Sequence, residues 1–177
     1  RYFHLNLPID RQHSEYKQAQ EDCVRFLKSA VQKRIQCERK IGGFLSGGLD
    51  SSLICALVAE SFKNKKDFHT FSIGMPGSTD LAFAKQLADH IGSTHHEVIV
   101  TTEDLLSYIE PTIRQVESYD TTTIRASIPM FALSRYIHEN HPDIAVVFSG
   151  EGSDELCGSY MYFHNAPSLE AFNGECH

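Results

Sequence analysis

The sequence contains no stretch that could cross a membrane as a helix. No apolar run approaches the roughly 20 residues such a helix needs, and the first residues carry no signal-peptide pattern. Basic charge is also in short supply. With 16 Lys and Arg against 23 Asp and Glu, the net charge is −7. That balance argues against general nucleic-acid binding, although a phosphate can still be held locally by backbone and metal. The cysteines, Cys23, Cys37, Cys55, Cys157 and Cys176, are odd in number and include no CxxC pair. No disulfide framework is expected, and the pattern reads as a reduced, intracellular, cytoplasmic protein. The ten histidines include no HExxH. His95-His96-Glu97 reads as a strand edge at the surface rather than a metal site, since neighbours on a strand point to opposite faces. No internal repeat and no low-complexity segment is present.

What is present is an ordinary globular composition, 41% hydrophobic and 22% charged over 177 residues, enough for one domain with a sizeable core. The chain is organised around Ser46-Gly47-Gly48-Leu49-Asp50-Ser51-Ser52. This stretch follows the apolar run Ile41–Leu45 and leads into Leu53–Ala59, a buried-helix pattern that takes in Cys55 as a packing residue. Glycines at a strand-to-helix turn present backbone N–H groups and the positive end of a helix to an anion. Gly47 and Gly48 are expected to let a phosphate approach and to tolerate positive φ, and Ser46, Ser51 and Ser52 add hydroxyls. The loop is not a Walker motif, because no Lys falls between Lys40 and Lys63. Asp50 would repel a phosphate unless a divalent cation lay between them, most simply Mg²⁺.

In chain order, residues 1–14 read as a leading segment or linker and 15–177 as the domain. Glu15 to about Cys37 has helical periodicity, with Ser14 as its N-cap and Lys33, Arg34, Arg39 and Lys40 as a solvated basic end. Strands are expected at Ile41–Leu45, Phe68–Ile73, Glu97–Val100 and Ile144–Phe148. The helices between them are Ser51–Phe62, Leu81–Ile91 closed by Gly92, Glu103–Tyr108 restarting near Pro111, and Ser127–Asn140. This alternation predicts an α/β fold, a parallel sheet with helices on both faces and ligands beyond the C-terminal strand ends. Three segments should gather there: Ser46–Ser52, Ile73-Gly74-Met75 and Ser149-Gly150-Glu151-Gly152-Ser153-Asp154-Glu155. Three acids in the last of these are costly in a closed site unless cations balance them. A further segment, Tyr119–Ser127, sets Arg125 among hydroxyls ahead of a helix, where it could clamp a phosphate or carboxylate.

SGGLDSS resembles the pyrophosphate loop of the N-type ATP pyrophosphatases. FLSGGLDSSL, HTFSIG, HHEV, ESYDTTTIRASIPMFALSRYI and FSGEGSDEL followed by GSYMYFHNAP together resemble the synthetase domain of the glutamine-dependent asparagine synthetases, from about Lys40 to Pro167. The resemblance implies a PP-loop (adenine nucleotide alpha-hydrolase-like) fold. It also implies a two-step amidoligase reaction: ATP adenylates aspartate with release of pyrophosphate, and ammonia then yields asparagine and AMP. By motif match, Ser46, Gly47, Gly48, Asp50, Ser51 and Ser52 hold pyrophosphate, and Asp50 and Asp154 bind Mg²⁺. Leu45, Ile73, Ser149 and Gly150 meet adenosine. Glu151 takes part in forming and aminolysing the adenylate, with Thr122 and Arg125 near the α-phosphate.

Cys157 and Ser159 stand where the family has Phe and Gly. The family's synthetase domain runs on beyond the position of His177 to a further Lys, and a glutaminase domain with an N-terminal Cys precedes it. The expectation is therefore a C-terminally truncated piece of a larger protein, or a shortened relative, with the glutaminase domain as a partner in the parent and a homodimer left open. A β-lactam-synthetase-like adenylating enzyme and a nucleotide-binding module without ligase chemistry are the alternatives.

Overall fold

This computed structural model describes residues 16–175. The leading segment 1–14, the proposed cap at Ser14 and Cys176 lie outside the described residues. The chain divides into two units, Arg1–Gln36 and Cys37–His177. In the first, α1 (Tyr16–Ile35) is the expected helix, ending on Lys33 and Arg34, where cations suit the dipole. Its apolar residues Tyr16 and Phe26 are nonetheless 80% and 61% exposed, and the Arg25 guanidinium lies 4.3 Å from the Phe26 ring centre.

The second unit runs β1 (Lys40–Phe44), α2 (Leu49–Glu60), β2 (His69–Gly74), α3 (Thr79–Ile91), β3 (Thr94–Ile99), α4 (Thr102–Ser107), α5 (Ile109–Val116), α6 (Thr121–Asn140), β4 (Ile144–Phe148), α7 (Ser153–Cys157) and α8 (Leu169–Glu175). All strand pairs are parallel, in the order β3-β2-β1-β4. The chain thus winds outward from β1 to one edge, then α6 carries it back across the sheet to add β4 on the other side of β1. The two inner strands are the ones whose C-terminal ends carry the glycine loop and the Ile73 segment.

Strand alternation divides the core between the two faces. Phe71 packs with Leu133 and Ile137 of α6 and with Ile144, while Phe44, Ile73, Val98 and Val147 close the same cluster. On the opposite face α2 and α3 cover the sheet: a Cβ at Gly43 would meet the Cys55 sulfur, and one at Gly74 would meet Leu81. Cys55 is fully buried, its thiol pushed up to about 12 by that burial, in keeping with a packing role. Local signals set the ends of the helices. Gly92 closes α3 in the left-handed region at φ 78. Thr101 and Asp104 form a capping box at α4, and Pro111 falls in the first turn of α5, where a missing N–H is tolerated.

Two expectations change. The Tyr119–Ser127 segment is not a loop before a helix, because the helix begins at Thr121. The Asp120 side chain accepts the Thr123 backbone N–H at 2.7 Å and caps it, so a polar cap and first turn hid the helix from the periodicity. His95 and His96 are indeed on an edge strand, and they do point to opposite faces, but they are not surface residues. The His95 side chain is 4% exposed. Its ring nitrogens lie 2.9 Å from the Thr70 hydroxyl and 3.1 Å from that of Ser72. His96 lies on the α6 face, 2.9 Å from the Nδ1 of His69 through its Nε2.

Burial, as the first cause, pushes the imidazoles of His69, His95 and His96 below their ordinary value of 6.5, His96 to about 4. The native state therefore keeps them neutral, while the unfolded chain takes up protons as pH falls through about 6.5. Stability should be fully present above that value and decline as pH drops from about 6.5 towards 4. Urea midpoints measured across this range check it; a midpoint constant between pH 7 and 4.5 would contradict it.

Candidate functional site

The strand β1 delivers Leu45, 1% exposed, and then Ser46 into the turn that starts α2. The loop is tied by its own hydroxyls. The Ser46 and Ser51 oxygens are 2.8 Å apart, the Ser51 Oγ accepts the Ser46 N–H at 3.1 Å, and the Ser51 hydroxyl donates to the Gly48 carbonyl at 3.2 Å. Ser51 is therefore largely engaged in shaping the loop. The two glycines have different roles. Gly47 has φ +84, and a Cβ there would sit 2.7 Å from the Asp80 carbonyl and 2.9 Å from the Ala84 nitrogen, so it allows α3 to pack close. Gly48 has φ −72 and so makes no use of glycine's tolerance of positive φ, and a Cβ there would touch only the Ser46 hydroxyl at 3.4 Å. Its value lies in leaving the helix N-terminus open to a ligand.

The loop after β4 lies directly on this one. A Cβ on Gly150 would sit 2.5 Å from the Ser51 nitrogen and 2.7 Å from the Asp50 carbonyl carbon. Beside that backbone contact the Ser153 hydroxyl donates to Asp50 Oδ1 at 2.8 Å. Asp154 Oδ1 accepts the Ser159 hydroxyl at 2.5 Å. The second oxygens of Asp50 and Asp154 carry no hydrogen bond among the described residues. Ser159 does not adopt a positive φ, so the serine there is free of backbone strain and gives Asp154 a partner. The Tyr160 hydroxyl donates to Glu155, and this bond raises the phenol to about 12.

These loops border a cleft at the C-terminal strand ends. Of the residues singled out from the sequence, Leu45, Ser46, Gly48, Asp50, Ser51, Ile73, Ser149, Gly150, Glu151 and Asp154 line it. Gly47 and Ser52 stand behind the lining. Thr122 and Arg125 are exposed in the first turns of α6 and do not line the cleft. The same helix supplies Met130 and Leu133 to the wall, and Arg125 precedes Met130 by about 7.5 Å of helix rise. Pro129 leaves the Arg125 carbonyl without its usual helical donor.

Phe71, Tyr160, Met130 and Leu133 also line the cleft but were not singled out from the sequence. The spacing of Met130 and Leu133, three apart on a helix crossing the sheet, was the available signal. At about 200 Å³ the cleft is smaller than the roughly 300–1,000 Å³ that encloses a drug-sized ligand, so a larger ligand would sit partly in the open. Its lining holds Asp50, Glu151, Asp154 and Glu155 and no Lys or Arg. Free carboxylate oxygens are the donors that a hard divalent ion takes.

A parallel α/β sheet with glycine loops converging at its C-terminal edge defines a domain of the PP-loop fold class. The ammonia-dependent NAD synthetase of Campylobacter jejuni, solved in complex with nitrate, shares this fold. It superposes with a TM-score of 0.50 at 18% identity, over 80% of this chain and 59% of that one. A protein-family model described as asparagine synthase matches residues 24–175, and the chain belongs to that family. The glutamine-hydrolysing asparagine synthetases of Gallus gallus and Bos taurus are 50% and 48% identical over 146 and 145 residues, 81% and 80% of this chain. The chain spans 26% of the length of each.

The contact at Gly150 makes a local prediction. Gly150→Ala should destabilise the domain by at least about 2 kcal/mol through overpacking against backbone. Gly152→Ala, strained by φ +90 but with open space around it, should cost about 1 kcal/mol. Chemical denaturation of the two variants gives the comparison, and equal costs would contradict the reading.

Proposed function

We propose that this domain is the ATP-dependent amidoligase part of an asparagine synthetase. The observation that carries the reading is the seating of the Gly150 loop on the backbone of the Asp50–Ser51 turn. It brings the family's two glycine motifs together around one open helix N-terminus. The aspartate side-chain carboxylate attacks the α-phosphorus of ATP. An O–P bond forms, the bond to the β-phosphate breaks, and pyrophosphate leaves. Ammonia then attacks the acyl carbon, AMP departs with the carboxyl oxygen, and the surplus ammonium proton passes to a base.

In this reading the open N–H groups beside Gly48, with Ser46, receive the pyrophosphate, and the Gly47 turn and Ser52 behind them hold the loop in shape. Asp50 and Asp154, through their unpaired oxygens, would hold Mg²⁺, which supplies charge compensation for the leaving pyrophosphate. Leu45, Ile73, Ser149 and Gly150 form the adenosine side of the cleft. Glu151, exposed at its mouth, is placed to orient ammonia or accept its proton. Thr122 and Arg125, in the first turns of α6 and outside the cleft lining, would have to swing their side chains towards the cleft to meet the α-phosphate. Ammonia from glutamine, delivered by a separate glutaminase domain, completes the parent reaction.

The test is pyrophosphate release from Mg-ATP with ammonium, with and without aspartate. Aspartate-dependent release is expected. A strong preference for a β-amino acid would favour lactam formation. ATP binding without release on any carboxylate would favour a binding module. Glu151→Gln should leave ATP affinity unchanged and lower turnover about 10²–10⁴-fold. Asp50→Asn should weaken Mg-ATP binding itself, read by calorimetry with and without EDTA. Unimpaired turnover in both variants would overturn the site assignment.

A further inference from the structure

At the opposite, N-terminal end of the sheet, three histidines from three elements converge. His69 opens β2. His96 lies beside it on β3, because the register pairs Phe71 with His96 and thus puts residues 69 and 96 on one face. His141 follows the last residue of α6. The ring nitrogens of the three lie within 4.8 Å of one another. His69 and His96 meet through Nδ1 and Nε2 at 2.9 Å, with ring planes 8° apart and ring centres 5.1 Å apart, so the two nitrogens face each other head-on, as in an N–H···N hydrogen bond. The His141 ring comes to 4.3 Å of His96 between centres and makes no hydrogen bond among the described residues.

We propose that His69, His96 and His141 form a three-imidazole site for a zinc-class divalent ion that clips the end of α6 to β2 and β3. Three neutral imidazoles on one centre are the donor set that Zn²⁺, Co²⁺ and Cu²⁺ take, leaving a fourth position for water. With metal–nitrogen bonds of about 2.0–2.1 Å, tetrahedral ligand atoms stand about 3.3 Å apart. His69 and His96 need to part by about 0.4 Å and each to turn by roughly 35° from that head-on alignment so that both lone pairs meet at the ion. The proton between them moves to the far nitrogen of its own ring, and His141 swings in. The ring faces of Phe71 and Tyr136 wall the cluster, at 4.9 Å from His96 and 5.9 Å from His141, and limit the positions the imidazoles can take. Lys40, which would repel a cation, is ion-paired with Asp143. A hydrogen-bonded imidazole pair with a bystander is the competing arrangement. It accounts for His69 and His96 but gives the His141 ring no bond.

Metal alone is the probe, and no catalytic readout is needed. Titration of the apo chain with Co²⁺ should give one equivalent with the visible absorption of a four-coordinate ion. Cu²⁺ electron paramagnetic resonance should count three coordinated nitrogens. Free Zn²⁺ at a hundred times its Kd should raise Tm by about 5–10 °C, reversed by EDTA. His141→Gln and, separately, His69→Gln should abolish the shift, whereas His90→Gln, on α3, should retain it. Two or fewer nitrogens on copper, no stoichiometric binding, or a Zn²⁺ shift that survives both substitutions would overturn the proposal. The copper count on the unaltered chain decides the matter even if a variant fails to fold.

Discussion

Everything at the C-terminal edge of this sheet depends on one close approach, the Gly150 backbone lying on that of Asp50 and Ser51. With no side chain between them, two loops that are distant in sequence become a single surface. The Ser153 to Asp50 hydrogen bond fixes their relative position. Each loop alone is an ordinary glycine turn. Pressed together, they place four carboxylates around an exposed helix start with no basic residue in the lining. In the proposed reading, a cation among these carboxylates is what would let an anion approach that helix start.

The fold serves this contact directly. The inner strand β1 and its neighbour β4 end side by side, so the loops they feed must meet. Phe71 and Leu133 form part of the cleft and also of the core cluster beneath it. The apolar wall of the site is therefore held by the same packing that holds the sheet, and a change in one is felt in the other.

Much of this architecture was legible from the sequence because strand, glycine turn and helix repeat in short units with strong periodicity. Three of the four strands and the break before Ile109 fall within one residue of where apolar spacing and proline put them, whereas β3 begins at Thr94 rather than Glu97. The start of α6 did not, because its first turn carries threonines and a surface-facing Arg, and its signal is an aspartate cap rather than an apolar stripe. The different roles of Gly47 and Gly48 were also invisible: composition says both are small, and only the position of α3 tells which one is constrained. The histidines were misjudged for a related reason. Alternation correctly separated His95 from His96, but the partners of His95 lie 25 and 23 residues away in sequence and those of His96 lie at His69 and His141, a neighbourhood that local spacing does not encode.

The position of β4 has a consequence for how the molecule is made. Lys40 of β1 and its partner Asp143 beside β4 are separated by 103 residues. At synthesis rates of about 5–20 residues per second, β1 waits on the order of 5–20 s for its second neighbour. Through that interval β1 to β3 can pair by local crossovers, while one side of β1 presents unsatisfied N–H and C=O groups to any passing strand. The nascent chain is then at its stickiest along the strand destined to be central. A holdase that covers this temporary edge would protect the protein during its birth, at a stage when the cleft has only half its rim.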